Sequence, residues 1–156
     1  MMKTAITFIA LFFTQVTWGC SFGPRFNSFL EDPSYRSDKK PSAPIFEVKG
    51  IKRGYDDGNG GSCSDAGMIT LSPLEDPDKF GVTVAYTFKL VEGEFEDSLF
   101  PQEPVSSRIG TSFTFIWFDG SNEHQEPINF KIEIRGVSPS GVKSEPSYLQ
   151  ITHPGT

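Results

Sequence analysis

Acidic side chains gather in three short segments of this 156-residue chain, and by type they are the residues best suited to chemistry. Residues 54–65 carry Asp56, Asp57 and Asp65, residues 92–97 carry Glu92, Glu94, Glu96 and Asp97, and residues 119–127 carry Asp119, Glu123 and Glu126. These are ten of the chain's twenty acids. Carboxylates within a Debye length of one another raise each other's proton affinity and attract divalent cations or a basic surface. Asp56, Asp57, Asp119 and Glu123 are therefore the candidate ligands of a hard cation such as calcium. Glu94, Glu96 and Glu126, with Trp117 just before the third segment, are the candidate contacts of a partner. The plainer account is that loops are commonly acidic and that these side chains splay into solvent. His124 sits among them as an exposed turn residue.

Other chemistries lack their residues. Asp57-Gly58-Asn59 opens like a calcium-binding loop, but the twelfth position counted from Asp57 is Met68, where a bidentate glutamate is needed. The two histidines, His124 and His153, accompany no Ser or Cys in a nucleophile motif. No glycine-rich segment runs into Lys-Ser or Lys-Thr, so nothing cradles a phosphate. A net charge of −6 opposes capture of nucleic acid or of an anionic bilayer surface. The reading is non-enzymatic and without a cofactor, calcium excepted.

The N-terminus carries targeting information. Met1-Met2-Lys3 is a short basic start, Ala5 to Phe13 is almost wholly apolar, and Gln15 to Trp18 lead into Gly19-Cys20. The apolar run is too short to span a bilayer, so residues 1–19 are expected to be a cleaved secretory signal. The arrangement resembles a bacterial lipoprotein signal, which implies lipid on Cys20 and anchoring in the periplasm or at the cell surface after export across the inner membrane. Thr17 and Trp18 depart from that pattern. Ordinary cleavage leaves Cys20 free to pair with Cys63, and the two fates exclude each other.

Elements that position the acids are strands. Fifteen Phe, twelve Pro and fifteen Gly describe aromatic strands cut by turns. Residues 20–44 mix Pro, Ser and charge with neither period, and are expected to be a flexible tether with Phe22, Phe26 and Phe29 as incidental aromatics. From Ile45 period-two alternation begins, with Gly50 marking a bulge. It recurs over Met68–Leu71, Val82–Leu90, Thr111–Phe118, Ile128–Val137 and Tyr148–Thr152, and a short edge strand is expected near 100–104. Phe113, Phe115 and Trp117 face one way and Ile116 and Phe118 the other, which predicts cover by a loop or the tether.

Strands of this number and spacing, with no convincing helix, predict an all-β antiparallel two-sheet sandwich of about seven strands over residues 45–154. Residues 43–154 resemble a fibronectin type III domain of the immunoglobulin-like class. The resemblance rests on Pro41-Ser42-Ala43-Pro44, Tyr86-Thr87-Phe88-Lys89-Leu90, Phe130 to Val137, and Ser144-Glu145-Pro146. Two features depart: the family's tryptophan in the second strand is missing, and Phe130 stands where the corner tyrosine usually is. The resemblance implies that the three acidic loops share one pole, with the first strand entering from the other. It implies a noncatalytic protein-interaction, adhesion or scaffold module of the cell envelope, with a protein partner and no nucleic acid. A small-ligand, carbohydrate or divalent-cation-binding sandwich is the first alternative, and an enzyme of unrecognised type the second.

Overall fold

Side-chain alternation and turn chemistry divide the chain into two sheets. The computed structural model describes residues 23–36, 39–59, 61–75, 83–95, 99–108, 110–120 and 125–155. The expected signal segment 1–19 and Cys20 lie outside the described residues.

The described residues form eight strands: β1 (Phe26–Ser28), β2 (Phe46–Lys52), β3 (Ala66–Pro73), β4 (Ala85–Glu92), β5 (Val105–Ser107), β6 (Phe113–Phe118), β7 (Ile128–Val137) and β8 (Ser147–His153). All pairings are antiparallel, in a three-stranded sheet ordered β2-β3-β6 and a five-stranded sheet ordered β1-β5-β4-β7-β8. The expected all-β sandwich is the observed class. Near Gly50 the β2–β3 register shifts, where the glycine suggested a bulge. The short edge strand lies at 105–107, just past the stretch in which it was expected.

Inward residues of both sheets form one core. Ile69, Leu71, Phe113 and Phe115 from the smaller sheet meet Tyr86, Phe88, Phe130, Ile132, Ile134 and Ile151 from the larger, and all are buried. Phe46 contacts Tyr86 edge-on at 4.9 Å and Phe88 at 5.6 Å, so aromatic rings bridge the sheets. Phe130 is fully buried here and belongs to that core, packing on Phe95 at 4.9 Å.

The tether expected over 20–44 is not free chain along its described length. Residues 26–28 add β1 to the sheet edge, and Phe26 meets Phe115 at 5.5 Å. Beyond β1, Phe29 N–H donates to the Pro104 carbonyl, Asp32 N–H donates to the Pro139 carbonyl, and Pro41 is buried. Composition hid this because three residues of strand are too few to show a period. An aromatic ring gains more by covering β6 than by staying in water.

Candidate functional site

The β2–β3 and β6–β7 connections meet at one end of the sandwich, and a buried ion pair joins them. Arg53, just after β2, sends Nε to Asp119 Oδ2 at 2.8 Å and Nη2 to Oδ1 at 2.9 Å. This forked geometry suits a planar guanidinium to a carboxylate. Arg53 Nη1 also donates to the Glu126 carbonyl at 3.0 Å, reaching the far side of the second loop. Asp119 accepts from the Gly54 N–H at 2.7 Å and from Gln125 Nε2 at 3.1 Å, and the same amide donates to the Gly54 carbonyl at 2.7 Å.

The arrangement needs a glycine at 54: a Cβ there would stand 2.5 Å from the Asp65 carbonyl oxygen. That same carbonyl accepts from the N–H groups of Asp119 and Gly120 at 2.9 and 3.0 Å. Burial pushes the Asp119 carboxyl up. Hydrogen bonds from Arg53, Gly54 and Trp117, with the Arg53 charge, more than offset it and hold the group below the usual aspartate range.

Asp119 was a candidate cation ligand, and in the structure its carboxylate is engaged by the protein itself. Its oxygens serve four protein donors: Arg53, Gly54, Gln125 and Trp117. Asp65 is spent in the same way. It closes a capping box on the 3-10 turn Cys63–Asp65, accepting from the N–H groups of Gly61 and Ser62 at 2.7 and 3.0 Å. Asp56 and Asp57 remain exposed and make local turns, accepting from the N–H groups of Gly58 and Asn59 at 2.7 and 2.9 Å. Hydrogen bonds from the Ser64 side chain and the Asn59 backbone lower the Asp57 carboxyl below its usual value. Glu123 and His124 lie outside the described residues, as does Glu96. Among the described residues no group of three or more His, Cys, Asp or Glu side chains is placed to hold a metal ion.

Trp117, a candidate binding contact, packs into the core. It is buried, it meets Phe95 edge-on at 5.2 Å, and its ring lies flat over the backbone of Gly67. A Cβ on Gly67 would sit 2.2 Å from two of the ring atoms. Its neighbour Phe118 is the surface residue instead, 72% exposed, and Tyr55 is 48% exposed. Ala66 pairs with Phe118 in the sheet, and Tyr55 N–H donates to the Ser64 carbonyl, so both aromatics belong to this end. Glu94 and Glu126 are exposed as expected. Ile116, on the outer face of β6, is half-buried and lines an open groove together with Gly23 and Arg25, and Phe118 is bare.

Sequence reasoning passed over Arg53 and Gln125, which hold this end together. The available signal was that Arg53 is the one cation within residues 53–65, beside three aspartates. Gln125 Oε1 is the one buried side-chain polar atom without a hydrogen-bond partner among the described residues. Cys63 is disulfide-bonded. Among the described residues no helix is long and apolar enough to cross a membrane. In comparisons with known proteins, no family model matches the chain, and no curated protein and no solved structure matches it.

Proposed function

We propose that this chain is an exported, noncatalytic, fibronectin type III-like sandwich that contacts a protein partner through its loop-bearing end. The family reading draws support from strand order: β2-β3-β6 facing β5-β4-β7-β8 has the connectivity of that class, with β1 as an addition. The contact reading rests on Phe118. A phenylalanine 72% exposed at a strand end, on a frame locked by Arg53 and Asp119, presents apolar surface at little entropic cost. Exposed Tyr55, Asp56, Asp57, Glu94 and Glu126 give this end an aromatic centre with an acidic surround, which suits a partner carrying Lys or Arg.

A photo-crosslinking residue at position 118 tests this in the producing cell, with position 45, an apolar residue also exposed, as the control. The expected result is a discrete protein adduct from 118 and none from 45. No adduct, or the same adducts from both, overturns the reading.

Export is proposed together with a Cys20–Cys63 bond. Cys63 is disulfide-bonded and the chain has two cysteines, and such bonds persist in oxidising compartments. A sulfur in a disulfide carries no thioether lipid, so this reading favours ordinary signal cleavage over lipidation at Cys20. Intact mass without reductant is expected to show a monomer with neither a free thiol nor an acyl addition. An acylated mass, or a thiol that takes up label, overturns it.

A further inference from the structure

The outer face of the five-stranded sheet carries a second feature, opposite in charge to the loop end. Thr87 and Lys89 of β4 and Glu133 and Arg135 of β7 form the floor of a groove of about 410 Å³, walled by Phe100, Pro101 and Gln102 and closed by Lys143. Register explains the floor. Thr87 pairs with Arg135 and Lys89 with Glu133, so alternate residues of both strands point the same way. Lys143 joins them because it bridges to Val137 at the end of β7.

The charges do not cancel. Glu133 accepts from Arg135 Nε at 2.7 Å and from the Tyr148 hydroxyl, and these with the nearby Lys89 charge hold its carboxyl below the usual range. Carboxylates bordering this face have their own cations: Glu145 pairs with Lys40, and Glu92 with Lys131. Glu103, next to Gln102, does not line the groove. Among the described residues neither Lys89 nor Lys143 stands in an ion pair. Among the described residues that line the groove, three cations (Lys89, Arg135 and Lys143) stand against one carboxylate (Glu133), in a chain of net charge −6.

We propose that this groove binds an acidic sugar, with Lys89 and Lys143 holding its carboxylate. The volume suits one ring. Thr87 and Gln102 offer partners to hydroxyl groups, while Pro101 gives the C–H face of the ring an apolar edge; the Phe100 ring itself turns inward onto Phe115 at 4.8 Å. The site is separate from the loop end proposed to contact protein.

Titration of the folded chain with glucuronate, followed by backbone amide shifts, tests it. Saturable shifts are expected at residues 87–89, 100–102 and 143, with a dissociation constant of roughly 1 mM that rises with added salt. Lys89→Ala with Lys143→Ala is expected to weaken binding about tenfold or more, and Lys49→Ala, on the other sheet, to leave it unchanged. Glucose is expected to bind more weakly by a similar factor. The proposal falls if glucuronate produces no saturable shifts, if the lysine variants bind as well as the parent, or if acetate binds as tightly as glucuronate.

Discussion

Arg53 and Asp119 lie 66 positions apart in the chain and meet through two parallel hydrogen bonds of 2.8 and 2.9 Å, with side chains 11% and 5% exposed. The pair ties the exit of β2 to the exit of β6, so it holds the three-stranded sheet across its width. Removing one partner strands the other charge, a costlier change than losing a surface pair. Arg53→Ala is expected to destabilise the domain by about 3 kcal/mol and to lower Tm by roughly 10 °C. Thermal melts of Arg53→Ala, Asp119→Ala and the double variant check this. The double variant should lose much less than the sum of the two singles.

Acid should weaken the same lock. The Asp119 carboxyl titrates below its ordinary value in the folded chain, so the unfolded chain binds that proton more readily. Stability from this group is fully present above the unfolded-state value of about 4 and is lost as pH falls through the folded one. A Tm profile is expected to drop below about pH 4. Asp119→Asn should start lower and fall less over that window.

Gly67 and Trp117 form a second sensitive pair. Gly67→Ala places a methyl group 2.2 Å from the indole of the buried Trp117, so the ring or the β3 backbone must shift to admit it. Overpacking of this kind costs about 2 kcal/mol or more. Combining it with Trp117→Leu opens that space, so the double variant should be less destabilised by chemical denaturation than the two singles added together.

Phe26 separates a docked N-terminal strand from a loose tether. Phe26→Ala is expected to cost about 2 kcal/mol through lost contact with Phe115. Phe118→Ala, at an exposed site, should stay within about 0.5 kcal/mol. Amide exchange should show the β1–β5 hydrogen bonds opening in the first variant and protected in the second.

Much of the architecture was legible in the residues. Alternation at Ile128, Phe130, Ile132 and Ile134 announces a strand with one buried face, and these four residues are 3% exposed or less. Gly50 marked the bulge, and the Ile116 side of β6 was expected to need cover. Those features depend on near neighbours in sequence, which is where period and turn chemistry act. β1 was not legible, because three residues cannot display a period and Phe26 docks on a residue 89 positions away.

The acids show the division most clearly. Residue type and loop position by themselves determined that Asp56, Asp57, Glu94 and Glu126 would be polar and exposed, as solvation of carboxylates requires. Tertiary structure alone decided that Asp119 would be buried against Arg53, that Trp117 would pack against Gly67, and that Lys89 and Lys143 would share a groove. The physical reason is range. Solvation and backbone preference act on a residue where it stands, whereas pairing a charge or filling a gap needs a partner that only the folded chain brings within a few ångströms.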